Sequence, residues 1–235
     1  STNAADYRER LAQIVAEHSD PSEVLYTWGF HQYFHGELTR ADLDVISDTI
    51  PIVVLQRSIH EQIHNSRALE YFGIDQALID RAPESIRAQT NLEEGHFWEQ
   101  GQGLIVGTVF ADIFRPDRYL PALQEAENYW HAAGSTLVAE PGGSSSPARL
   151  EMQNQVLGDA QTPFRMYYIA DGRLAIANFA EDQVITETEK LYSAAKGTTE
   201  YLPQQVKLFA DGAMFSQLMQ MSEGYLDGHH GEWMM

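Results

Sequence analysis

The sequence predicts an α/β protein in two parts, the first mixed α+β and the second built on a parallel sheet. Three observations carry this reading. From Pro116 onward, apolar runs of strand length alternate with amphipathic segments of helix length, which is the rhythm of βαβ units. Before that point strands and helices are mixed without alternation. The 235 residues are 43% hydrophobic and 11% aromatic, enough to pack a core in each part.

In chain order, Tyr7 to His18 places Leu11, Ile14 and Val15 on one stripe between charges, an amphipathic helix stopped at Ser19-Asp20-Pro21. Val24 to Phe30 reads as a strand, Thr39 caps a short helix, and Pro51 opens the strand Ile52 to Gln56. Glu61 to Phe72 is expected to be a helix closed by Gly73. A polar stretch follows from Asp75 to Glu94, then a short strand over His96 to Glu99 and a flexible link around Gly101 to Gly107. The second part starts with a helix from Asp117 to Ala133, ended by Gly134. Strands Ser135 to Glu140, Phe164 to Ala170 and Gln205 to Ala210 alternate with helices Ala148 to Gly158 and Glu181 to Ala195. The domain boundary is set accordingly, with 1–112 as the α+β part and 113–235 as the parallel part.

Composition removes several function classes. The formal charge is −19, from 34 acids against 15 bases, a field that repels phosphate backbones and anionic lipid heads, so neither nucleic acid nor membrane is an expected partner. With no cysteine there is no disulfide, thiolate metal knot or cysteine nucleophile. No apolar run reaches the ~20 residues of a membrane span and the start carries no signal-peptide pattern, which favours a cytoplasmic location.

Only three lysines are present, and Lys207 stands in an otherwise apolar stretch, Val206 to Ala210, read as a buried strand. An ammonium there must shift its pKa, find a counter-ion or be covalently changed, unless its stem lies along an edge and its head reaches water. In a parallel α/β layer the active groups gather at the carboxyl ends of strands, here Glu140, Asp171 and the pair Lys207 and Asp211. A rival signal is His60-Glu61-Gln62-Ile63-His64, the H-E-x-x-H pattern that on a helix sets two imidazoles one turn apart for zinc with the glutamate as base. Three weaker signals carry less. Gly101-Gln102-Gly103 lacks the spacing of a dinucleotide loop, Gly142-Gly143-Ser144-Ser145-Ser146 lacks a nucleophile elbow's second glycine, and His229-His230 reads as a solvated tail.

Six segments stand in order along the chain: Trp28-Gly29-Phe30-His31-Gln32, Leu38 to Asp44, Pro51 to Arg57 with His60, Asn65 to Leu69, Gly134 to Val138, and Val206 to Gly212 followed by Tyr225. Taken together, they resemble the amidohydrolase superfamily, in its family-three (YtcJ-like) branch of metal-dependent hydrolases. The resemblance implies a partial (β/α)8 TIM barrel, about strands 2 to 4, with 1–112 as an insertion domain that includes a barrel helix at its start. It implies hydrolysis of a non-peptide amide or cyclic amide by metal-activated water, the metal being zinc or another divalent ion, dinuclear in the intact protein. Lys207 matches the lysine expected to be carboxylated and to bridge the metals, and Asp211 the acid of the following turn, taken as catalytic. His60 and Asn65 match insertion-domain residues facing the substrate cavity, and Glu99 and Glu140 join them as substrate-binding candidates. The branch's histidine ligands and final aspartate fall outside this chain, so a central fragment is expected, incomplete as an enzyme and prone to self-association at an open barrel edge. Phe30-His31 where Trp-Asp is usual, Ile59 where Gly is usual and Ala213 where Ser is common depart from the pattern. The alternatives are a zinc metallopeptidase on His60, Glu61 and His64, and a non-catalytic domain that binds a small molecule.

Overall fold

The computed structural model describes residues 3–18, 20–143, 146–214, 217–226 and 228–232. It divides into two compact units, Ser1–Val109 with Ala210–Met235, and Phe110–Phe209.

The first unit begins with α1 (Ala4–Glu17), whose N-cap Asn3 accepts from Asp6 N and whose Leu11 and Val15 are buried. Strand β1 (Leu25–Phe30) and helix α2 (Gln32–His35) lead to α3 (Arg40–Ile46), closed by a capping box between Thr39 and Asp42. Asp42 is partly desolvated, but the Thr39 backbone and hydroxyl and the Arg8 guanidinium outweigh this and hold its carboxyl below the usual range. Strands β2 (Ile52–Gln56) and β3 (Glu61–His64) come next, followed by the short helices α4 (Ser66–Phe72), α5 (Gln76–Asp80) and α6 (Glu84–Arg87). Strands β4 (Thr90–Asn91) and β5 (His96–Trp98) complete a sheet of order β1-β2-β3-β5-β4. Only β1 and β2 pair in parallel; the other pairs are antiparallel. All of β2 is buried because apolar groups cover both faces. Ile52 and Val54 join Leu11, Phe30 and Leu43, while Val53 and Leu55 join Val24 and Ala68.

Two expectations fail here for physical reasons. The segment Glu61 to Phe72 is not one helix but β3, a cap and α4. Asn65 makes the break. Its Oδ1 accepts from Ala68 N at 2.8 Å as the cap of α4 and also from Ile52 N at 2.9 Å, which ties the residue to β2. The glycine-bearing stretch 101–107, expected as a link, lies inside α7 (Glu99–Ile113). There Ile105 and Val109 are buried, so packing overrides glycine's poor helix propensity.

The second unit carries α8 (Pro116–Ala132), β6 (Leu137–Gly143), α9 (Pro147–Leu157), β7 (Arg165–Asp171), α10 (Gly172–Asn178), α11 (Val184–Ala194) and β8 (Thr199–Lys207). Its sheet, in order β6-β7-β8, is parallel throughout, as the alternation predicted. Met166, Tyr168 and Ala170 of β7 and Tyr201 of β8 pack with Leu150 and Leu157 of α9 and Leu191 of α11. Strand β8 starts and ends earlier than expected and is broken by an irregularity, with Tyr168 paired to Tyr201 but Ala170 to Val206. Gln204 in this jump has φ 59°. Nor is its end a buried strand. As a strand paired on one side only, it leaves Val206 and Leu208 half exposed. Among the described residues, no helix is long and apolar enough to cross a membrane.

Candidate functional site

In the second unit the three parallel strands end together, and their last residues form the first neighbourhood. Asp171 and Lys207 are ladder partners, so their side chains lie on the same face of the sheet. That face is opposite the helix-packed one, because Ala170, one residue earlier, belongs to the core beneath the helices. Asp171 is buried and caps α10, accepting from Arg173 N at 2.9 Å and Leu174 N at 3.2 Å. Its second oxygen lies 3.7 Å from the Arg173 guanidinium. The guanidinium stands 4.0 Å from the Phe209 ring centroid, and the Lys207 ammonium stands 4.8 Å from the same ring. The Lys207 stem passes beside Gly142 of β6, whose φ of 117° is a conformation glycine tolerates and other residues resist. Lys207 is partly buried, and among the described residues no carboxylate comes within ion-pair distance of it.

Glu140 is placed differently from Lys207. It pairs with Tyr168, which puts it on the helix side of edge strand β6 near Tyr119. Exposed by area, it is still crowded enough that desolvation pushes its carboxyl above the usual range. The residues beside it form a polar layer under the helices. Gln153 Nε2 donates to Tyr119 Oη at 3.0 Å, and burial raises the phenol of Tyr201 to about 12 and that of Tyr168 further still.

The second neighbourhood lies in the first unit. His60 Nδ1 is 2.9 and 3.0 Å from the two carboxylate oxygens of Glu99, and the Glu99 N–H donates back to the His60 carbonyl at 3.0 Å. A carboxylate only accepts, so Nδ1 carries the proton. Glu99 is buried, at 4% exposure. Its φ is 41° and that of Ile59, preceding His60, is 64°, so left-handed backbone sits on both sides of the contact at a cost of about 1–3 kcal/mol each. Gly212 closes the arrangement, since a Cβ there would collide with Glu99 Oε1 and with Leu218. Asp211, next in sequence, accepts from Gln220 N at 2.9 Å and so fixes the turn that presents Gly212. Of the residues singled out from sequence, His60, Glu99 and the Asp211-Gly212 turn are thus brought together.

Asn65 and His64 are held by the fold. Besides its two accepted bonds, Asn65 donates from Nδ2 to Ser47 O and Ile50 O, both at 2.9 Å. Its amide capacity is filled by backbone. His64 is fully buried, edge-on to Phe72 and Phe97, with burial lowering its pKa to about 3. The zinc-peptidase reading fails on the same geometry. Glu61 to His64 is extended, so the two imidazoles do not share a helical face.

Among the described residues, no group of three or more histidine, aspartate or glutamate side chains is arranged to hold an ion. Sequence reading did not place Arg173 and Phe209 beside Lys207, because strand register carries that information; Asp171 at a strand end was the one available signal. The Ser144-Ser145 part of the glycine-serine loop lies outside the described residues.

No family model matches the chain, and no curated protein matches it. Among solved structures it resembles an uncharacterized metal-dependent hydrolase from Pyrococcus horikoshii OT3, at 17% identity and a TM-score of 0.57. It also resembles one from Pyrococcus furiosus, at 19% identity and a TM-score of 0.56. All of this chain is covered in each comparison, but only 44% of the other chain. The chain thus shares the fold of the corresponding part of these proteins and spans less than half of their length.

Proposed function

We propose that this chain is the central part of a metal-dependent hydrolase of the amidohydrolase type, acting on a non-peptide C–N bond of a small amide or cyclic amide. In this reading β6, β7 and β8 are consecutive strands of a partial (β/α)8 barrel, and residues 1–112 form the insertion domain. The observation that carries it is the placement of Lys207. It ends a parallel strand, faces away from the helix layer in register with Asp171, and has no carboxylate partner among the described residues, in a chain whose fold follows two metal-dependent hydrolases along its full length.

Lys207, carboxylated on Nζ, would contribute one ligand to a divalent metal whose other ligands lie outside this chain. The metal's contribution is a more acidic bound water and a polarised carbonyl. This chain's own part is positional. Asp171 and Arg173 hold the strand-end turn, the Phe209 ring lies beside the ammonium, and the glycine at 142 leaves room along the lysine stem. His60, braced by Glu99, is the insertion-domain group for substrate contact, with Asp211 as the acid of the Lys207-x-x-x-Asp211 turn. With one unpaired edge on β8, this portion alone is expected to self-associate.

The test uses the gene-length protein with a panel of small amides and bound metal measured by mass spectrometry. Lys207→Ala is expected to lose both metal and turnover while His64→Leu keeps both; metal retained in full by Lys207→Ala contradicts the assignment.

A further inference from the structure

The first unit contains a concavity that the hydrolase reading does not use. It is a pocket of about 380 Å³, in the size range of small-ligand sites. Gln32, Glu37, Glu61, His96, Trp98 and Gln217 supply its chemistry. Glu61 of β3 and Trp98 of β5 are direct ladder partners and so share a face, and His96 lies two residues from Trp98 on that same face. The His96 ring lies against the Trp98 indole at 4.8 Å and 32°. Its Nε2 is 2.8 Å from Glu61 Oε2, while Glu61 Oε1 is buried with no hydrogen-bond partner among the described residues. A buried carboxylate oxygen without a donor is costly and rare in native proteins. The terminal carboxylate torsion is soft, so a small rotation turns that oxygen toward an incoming donor.

The lining is rich in acceptors and contains no lysine or arginine. Two carboxylates, two side-chain amides, an indole face and the imidazoles of His96 and His229, each set against a glutamate, in a chain of net charge −19, select a ligand with positive charge, several N–H donors and a flat or short apolar body. We propose that this pocket binds a small organic cation, a primary ammonium or guanidinium-type compound, its charged end toward Glu37 and Glu61 and its body against Trp98. The site is independent of Lys207.

Isothermal titration calorimetry with benzamidine, using benzyl alcohol and benzoate as neutral and anionic controls, tests this. Saturable benzamidine binding is expected with little binding of either control. Glu61→Gln, its fold checked by circular dichroism, should weaken binding roughly tenfold or more, the effect of losing a charge-assisted hydrogen bond. Glu37→Gln, at an exposed position that leaves folding intact, should weaken it by roughly threefold or more. Benzamidine that fails to saturate, benzyl alcohol that binds as tightly, or an affinity unchanged in Glu37→Gln overturns the proposal.

Discussion

Acidification should destabilise the first unit through one residue, His64. The ring is fully buried between Phe72 and Phe97; Nε2 meets Gln62 Oε1 at 3.2 Å and Nδ1 has no partner among the described residues. With Gln62 taking up Nε2, a second proton on Nδ1 finds no acceptor among the described residues, and burial lowers the folded-state pKa to about 3 from 6.5. Between those values the unfolded chain binds a proton that the folded chain refuses, so stability falls as pH drops below the unfolded pKa. From about pH 7.5 to about pH 5 the loss is roughly 1.4 kcal/mol for each of some 1.5 pH units below 6.5, or about 2 kcal/mol. A folded pKa one unit higher leaves this almost unchanged, because both values lie well below pH 5. The assay is urea unfolding followed by tryptophan fluorescence at both pH values, for the natural chain and His64→Leu. Leucine removes the titration and keeps the site apolar, and every other titrating group cancels in the comparison. The variant should lose about 2 kcal/mol less on acidification than the natural chain. Equal losses in the two proteins would refute the reasoning.

Other expectations follow from the same contacts. Asn65→Ala removes the α4 cap and strands backbone groups of Ile52, Ser47 and Ile50; a loss of roughly 3 kcal/mol in urea unfolding is expected. His60→Ala leaves the buried Glu99 carboxylate without its imidazole and should cost about 3–5 kcal/mol, whereas the double change with Glu99→Gln should recover part of that loss. A double-mutant cycle reads the difference. Tyr201 stays neutral in the fold up to about pH 12, so its contribution is complete below the unfolded phenol pKa of 10.0 and is lost as pH rises toward 12. Tyr201→Phe should therefore flatten the alkaline limb of the stability curve measured by denaturant titration.

The parts of the fold legible in sequence were those set by one-dimensional pattern. The apolar run Ile52 to Leu55 behind Pro51 read as a strand, and the later alternation of strands and helices pointed to a parallel sheet. The errors fell where tertiary contacts decide. Glu61 to His64 is too short for its period to distinguish strand from helix, and what makes it a strand is pairing with β2 and β5. The glycines of α7 suggested a link, yet Gly101 packs closely against the Gln89 backbone, a contact only glycine permits. In β8, Val206 to Ala210 attracted the strand reading by apolar character, while the better-buried half begins at Thr199, beyond Pro203 and the Gln204 kink. For the site, residue types pointed to Lys207, His60 and Glu99 separately. That His60 and Glu99 touch across 39 positions of sequence, and that Lys207 sits in register with Asp171, depend on register alone.

The most direct measurement for the central claim is ¹³C NMR of the gene-length protein loaded with divalent metal in ¹³C-bicarbonate. A carbamate carbon resonance bound to one lysine is expected, and it disappears in Lys207→Ala. A metal-loaded, active protein with no such resonance, or one in which it survives that substitution, would contradict the claim.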